Sequence, residues 1–135
     1  MPDLRLLGVR ITCLPGCLNC STSLPAFALV VMRVVLPFTI GGTEIVPIPL
    51  MHGTLPVLGF RIGAFAYMTD CNLIPDASWP LLDGVRVVVI DALRERPHST
   101  HFNVSEALAV VERLGAERAY FTHICHDLPH AATCA

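Results

Sequence analysis

Short blocks of β-branched and aromatic residues, separated by glycine or asparagine, run through most of the chain and set its predicted elements. Leu4–Ile11 alternates apolar and basic positions and predicts a first strand, followed by a loop of Cys, Pro, Gly, Asn and Ser to Ser23. Phe27–Leu36 and Thr43–Pro49 predict strands on either side of the Gly41-Gly42 turn. Val57–Ile62 and Ala64–Thr69 are joined so tightly at Gly63 that a hairpin is expected. Ala77–Leu82 predicts a short helix closed by Asp83-Gly84. Val85–Asp91 is almost continuously β-branched, the mark of a strand covered on both faces. Asn103 and Glu106 have the spacing of a capping box ahead of a helix over Val104–Leu114. Its apolar positions Ala107, Leu108, Val110, Val111 and Leu114 share one face, and Gly115 stops it. Ala119–Thr122 predicts the last strand, ending at His123. Strands followed by strand–loop–helix–strand imply an α/β or α+β class with layered sheets.

Composition narrows what such a domain does. At 135 residues the chain is long enough for one compact domain with its own core. With 53% hydrophobic and 15% charged residues, disorder is excluded. The net charge of −2, with no Lys/Arg cluster, leaves no electrostatic footprint for nucleic acid. So few charges on a soluble surface point to a piece of something larger, an obligate oligomer such as a homo-oligomer, or a buried sheet with few faces in water. The most apolar stretch, Leu24–Ile40, is interrupted by Arg33 and Pro37 and falls short of the ~20 clean residues of a bilayer span. It reads as a buried strand, so no membrane is expected. Met-Pro-Asp-Leu-Arg at the start lacks the pattern of a signal peptide, and a cytoplasmic protein is expected.

The histidines gather at strand ends. His52 follows one strand, Asp70 and Asp91 end two others, His98 and His101 lie in the next loop, and His123 ends the last strand. In α/β sheets the loops at strand C-termini converge side chains on one crevice. His and Asp there suit zinc, manganese or iron. Taken one at a time, each carboxylate is equally a turn cap and each histidine a polar loop residue; the clustering favours a site.

These residues carry a resemblance. Pro-Phe-Thr-Ile-Gly-Gly-Thr-Glu-Ile-Val-Pro-Ile-Pro-Leu-Met-His-Gly at 37–53, Val-Leu-Gly-Phe-Arg-Ile-Gly at 57–63 and Tyr-Met-Thr-Asp-Cys-Asn at 67–72 are the first matches. Asp-Ala-Leu-Arg at 91–94, Pro-His-Ser-Thr-His-Phe at 97–102 and Thr-His-Ile-Cys-His-Asp-Leu at 122–128 follow. In this order they resemble the C-terminal half of a metallo-β-lactamase-fold hydrolase, closest to the cyclic phosphodiesterases of phosphonate catabolism. The resemblance implies a truncated αββα sandwich, with residues 1–135 one partial domain: 1–23 the first strand and Cys loop, 24–135 the C-terminal half. It implies a two-metal site for zinc or manganese and a small phosphodiester substrate. His52 would ligate the first metal, Asp70 would bridge both, and His123 would ligate the second. His101 would sit beside the scissile phosphate as proton donor or charge partner.

The cysteines fit less cleanly. Relatives carry a Gly-Cys-x-Cys-x-x-Cys loop that binds a structural zinc with a histidine three residues past the last site ligand. Here Cys13, Cys17 and Cys20 stand in that loop and His126 lies three residues after His123. Three Cys and one His make a closed tetrahedral zinc site; free thiols in a reducing compartment are the alternative. The spacing also matches a radical iron–sulfur loop, but the chain is far too short for that barrel. Cys71 and Cys125 are expected to line the core or the site.

The family's strongest motif, His-x-His-x-Asp-His, does not occur, and no histidine precedes His52. Without it each metal keeps two of the implied protein ligands, below the three or more that hold a catalytic zinc. Three readings follow: a hydrolase with a weakened site, a non-catalytic metal-binding or oligomerising remnant of the fold, or an unrelated α/β binding domain.

Overall fold

The computed structural model describes residues 4–6, 9–13 and 36–129. Among the described residues eight strands form one sheet: β1 Leu4–Leu6, β2 Val9–Cys13, β3 Phe38–Ile40, β4 Thr43–His52, β5 Leu55–Ile62, β6 Phe65–Met68, β7 Val87–Asp91 and β8 Arg118–Thr122. Their spatial order is β1-β2-β8-β7-β6-β5-β4-β3. The sheet is mixed, with parallel pairs β2–β8, β8–β7 and β7–β6 and antiparallel pairs elsewhere.

The predicted first strand is two strands. β1 and β2 pair antiparallel, Leu6 opposite Val9 and Leu4 opposite Ile11. The strand predicted over Phe27–Leu36 lies outside the described residues except for Leu36, an exposed residue ahead of β3. β3 and β4 turn at Gly41 and Gly42, whose φ values of 57° and 82° are those that a two-residue hairpin turn requires. β4 runs three residues past its predicted end, carrying His52 within the strand. The short helix is a 3-10 helix over Asp76–Leu82. Pro80 inside it has no N–H to donate, and the Ser78 hydroxyl donates to Pro49 O at 2.7 Å instead of leaving the segment free to wind as an α-helix.

Helix α1, Val104–Leu114, matches its prediction because its signals are local. Asn103 Oδ1 accepts from the Glu106 N–H and Glu106 Oε2 accepts from the Asn103 N–H, both at 2.9 Å. Gly115 closes the helix at φ 62°. Ala107, Val110 and Val111 are buried, with Leu108 and Leu114 half-buried against the same core. That core joins them to Ile48, Leu50, Met68, Val88, Ile90 and Phe121 on one face of the sheet. Each such aliphatic or aromatic side chain contributes ~1.5–3 kcal/mol when fully buried. In β7, Val88, Val89 and Ile90 are all buried, as a strand covered on both faces demands.

Strand direction decides where the site falls. β6, β7 and β8 are mutually parallel, so their C-terminal ends share one rim. β4 is antiparallel to β5, and β5 is antiparallel to β6. Two reversals restore the direction, so β4 also ends at that rim. No helix among the described residues is long and apolar enough to cross a membrane.

Candidate metal centre

His52, Asp70, Asp91 and His123 reach this rim from four strands that point the same way. His52 is the last residue of β4, and the following turn is tied down by Asn72. The Gly53 N–H donates to Asn72 Oδ1 at 2.7 Å, and Asn72 Nδ2 donates to Ser99 O at 3.2 Å. Met51 and the segment after β6 exchange backbone bonds, Met51 N–H to Leu73 O at 3.0 Å and Asn72 N–H to Met51 O at 2.9 Å. These bonds stitch the end of β4 to the chain just beyond Asp70.

Asp70 and His123 are the only described non-glycine residues at positive φ, 56° and 57°. A left-handed residue costs ~1–2 kcal/mol, and such strain gathers where the surroundings hold a side chain in a working position. Their side chains meet, His123 Nε2 lying 3.6 Å from Asp70 Oδ1. The loop after β7 folds back through Leu93 N–H to Phe102 O and Phe102 N–H to Cys71 O, both 2.9 Å. This return places His101 in the middle of the cluster. Its Nε2 is 3.3 Å from His52 Nε2, and its ring stacks on His123 with centroids 4.6 Å apart. His98 stays to one side, its Nδ1 3.2 Å from Thr100 Oγ1.

Behind His101 stands Asp91, fully buried. Its Oδ2 is 3.2 Å from His101 Nδ1 and also accepts from the Cys71 N–H at 3.4 Å, while the Cys71 thiol donates to Oδ1 at 3.5 Å. Burial pushes the Asp91 carboxyl up to about 7. Burial, then the neighbouring His123 and His52, pulls the His101 imidazole down to about 4. Burial, with Asp91 beside it, pushes the Cys71 thiol well above its ordinary value. At neutral pH His101 is therefore uncharged. A carboxylate facing Nδ1 favours the tautomer with the proton there, leaving the Nε2 lone pair turned to His52 and Asp70.

Ligand atoms of His52, Asp70 and His101 lie within 4.8 Å of one another, a group that can hold a metal ion. Two ligands on a tetrahedral zinc with bonds of ~2.0–2.1 Å are separated by about 3.3 Å. The two imidazole nitrogens stand at that separation. Nitrogen and carboxylate donors fit zinc, manganese or iron.

Residues 18–124 match the family described as the beta-lactamase superfamily domain. The chain belongs to this superfamily. A solved diphosphatase of the PhnP family is 41% identical with TM-score 0.71, over 74% of this chain and 39% of that one. The metallo-beta-lactamase fold protein YhfI of Bacillus subtilis superposes with TM-score 0.61 at 21% identity, over 71% of this chain and 42% of that one. An octanoyltransferase of Porphyromonas gingivalis is 30% identical over 95 residues, 70% of this chain and 19% of that protein. The chain thus spans well under half of each of these relatives. The superfamily is metal-dependent, in keeping with the His–Asp–His donor set at the rim.

The rim thus brings together His52, Asp70, His101 and His123, all singled out in the sequence. The structure adds Asp91, which the sequence marks only as a strand end. A lone carboxylate after four apolar residues is the signal that pointed to it. In the cysteine loop, Cys13 closes β2, and Cys17 and Cys20 lie outside the described residues. The His126 side chain is exposed, its Nε2 3.2 Å from Asp127 Oδ1.

Proposed function

We propose that this domain hydrolyses a small phosphodiester with the help of zinc or manganese held at the rim by His52, Asp70 and His123. The convergence of these residues carries the reading. The 41% identity to a PhnP-family diphosphatase directs it to phosphorus–oxygen bonds. Water adds to phosphorus, the ester P–O bond breaks, and a phosphomonoester and an alcohol leave. A divalent cation supplies Lewis acidity for this, polarising a phosphoryl oxygen and acidifying water. His52 and His123 would offer nitrogen donors and Asp70 a carboxylate to such a cation. His101 is the remaining imidazole at the centre, and the family resemblance gives it contact with the scissile phosphate. Lacking the paired-histidine motif, the site is weakened and turnover is slow.

The test is release of p-nitrophenolate from bis(p-nitrophenyl) phosphate, with a cyclic phosphodiester as second substrate, by the chain loaded with Zn²⁺ or Mn²⁺. The reading expects turnover that a chelator abolishes and Asp70→Asn removes. No turnover above that of the free metal ion would refute it.

Exposed Phe38 and Ile40 on the edge strand β3 favour a second reading, a non-catalytic homo-oligomer of the same fold. Light scattering that shows oligomers, with no turnover, supports it; monomers with turnover dismiss it. Cys13, Cys17, Cys20 and His126 are our candidates for a separate structural zinc. A cytoplasmic setting is part of the same reading, supported by the free thiols of Cys71 and Cys125.

A further inference from the structure

With no His-x-His-x-Asp-His in the sequence, a cation at His52 and Asp70 has two protein donors, short of the three that retain a catalytic zinc. The fold supplies another. We propose that in this chain His101 is a metal ligand: its Nε2, His52 Nε2 and a carboxylate oxygen of Asp70 form one three-donor site for a divalent cation, with Asp91 as positioning residue. The inference rests on the reading of His52 and Asp70 as metal donors and replaces the substrate contact that the resemblance gives His101.

Three observations carry it. The 3.3 Å between His52 Nε2 and His101 Nε2 is long beside the usual 2.9–3.0 Å of an N–H hydrogen bond but suits two ligands of one ion. The far nitrogen of His101 faces a carboxylate at 3.2 Å, the arrangement that fixes tautomer and ring orientation in metal-ligating histidines. That carboxylate is itself immobilised, since the Cys71 N–H and thiol both donate to it. The ring of His101 is therefore set by groups outside the donor cluster.

The other histidines do not compete for this position. His98 Nδ1 is turned to Thr100. His123, stacked on the His101 ring, has its Nε2 3.6 Å from Asp70 Oδ1, while the three donors that lie within 4.8 Å of one another are those of His52, Asp70 and His101. The rim then offers two unequal places: a three-donor site at His52, Asp70 and His101, and a two-donor place between Asp70 and His123. At the rim one cation binds tightly and a second only weakly.

The unaltered chain gives the cleanest test, because His101 and Asp91 are buried and their variants risk unfolding. Metal-free protein labelled with ¹⁵N in the histidine rings is titrated with Zn²⁺ and followed by NMR. At one equivalent, His52 Nε2 and His101 Nε2 shift together to values of coordinated nitrogen, while His98 does not move and His123 responds only at excess Zn²⁺. If His52 shifts and His101 does not, His101 is no ligand and the reading of His52 and Asp70 stands. If no histidine shifts at any Zn²⁺ concentration, both fall. Competition with a chromophoric chelator gives the matching affinities. Asp91→Asn weakens Zn²⁺ binding by the about 10- to 100-fold typical of a lost outer partner. An Asp91→Asn chain that folds and binds Zn²⁺ as the parent does would overturn the positioning role.

Discussion

Gly59 sits in the middle of β5, between the two strands that carry His52 and Asp70 to the rim, and has no room for a side chain. A Cβ there would lie 2.9 Å from Leu50 Cδ1, 2.9 Å from the Tyr67 carbonyl oxygen and 3.1 Å from Met68 Cγ. Leu50 and Met68 are fully buried and have little space to retreat, and the Tyr67 oxygen is backbone. Gly59→Ala therefore pushes β6 away from β5 or forces Leu50 off its rotamer. Overpacking of this kind costs ~1–3 kcal/mol, set against about 0.4–1 kcal/mol gained by restricting the unfolded chain. The net loss is about 1–2 kcal/mol, and a chain of this length loses ~4 °C in melting temperature per kcal/mol. Gly63→Ala is the comparison: nothing lies within 4 Å of its added Cβ, so at φ 57° it carries the left-handed backbone cost without crowding. Thermal and urea melts followed by circular dichroism compare the three proteins. Gly59→Ala should melt lower than the parent at an unchanged urea m-value. A Gly59→Ala protein as stable as the parent would show that the sheet yields freely around β5, and the crowding argument would fail.

Asn103→Ala removes the side-chain oxygen that accepts from the Glu106 N–H at the start of α1, leaves the backbone N–H of position 103 to Glu106, and should cost about 1 kcal/mol in urea unfolding, with the same native spectrum. Phe121→Ala empties the centre of the sheet–helix core and should cost ~3–5 kcal/mol, enough to leave much of the chain unfolded at 37 °C by circular dichroism. For pH, the metal-free chain carries two opposed effects. Asp91, raised to about 7, adds stability at low pH that is lost as pH rises from about 4 to 7. His101, lowered to about 4, adds stability above 6.5 that is lost as pH falls to about 4. Between pH 4 and 6.5 they offset, whereas Asp91→Asn keeps only the histidine effect, whose causes do not include Asp91. The urea midpoint of that variant should therefore climb with pH over this range more steeply than that of the parent; parallel profiles would contradict the assignment.

What could be seen in the sequence was what is local. The capping box of Asn103 and Glu106, the Gly115 stop and the β-branched run of β7 are spelled out by adjacent residues, and those elements stand where they were expected. The division of the first strand into Leu4–Leu6 and Val9–Cys13 was missed because Leu4–Ile11 reads as one strand in sequence. Choosing the rim needed the two reversals from β4 through β5 to β6, which arise from pairing and not from composition. The choice between His98 and His101 depends on how the loop after β7 returns to Cys71, a contact across more than thirty positions between Phe102 and Cys71. Asp91 shows the same limit: a strand-end carboxylate looks like a turn cap until tertiary packing buries it behind an imidazole. Left-handed backbone at Asp70 and His123 has no sequence signature beyond the tolerance of Asp and His for it.

The most direct measurement is the metal content of the chain purified without chelators, determined by elemental analysis alongside Asp70→Ala and Cys17→Ser/Cys20→Ser. A site at the rim predicts a divalent ion in the parent that persists in the cysteine variant and is lost from Asp70→Ala. Metal that disappears with the cysteines and is indifferent to Asp70, or a parent chain that holds none even after exposure to Zn²⁺ and Mn²⁺, would contradict it.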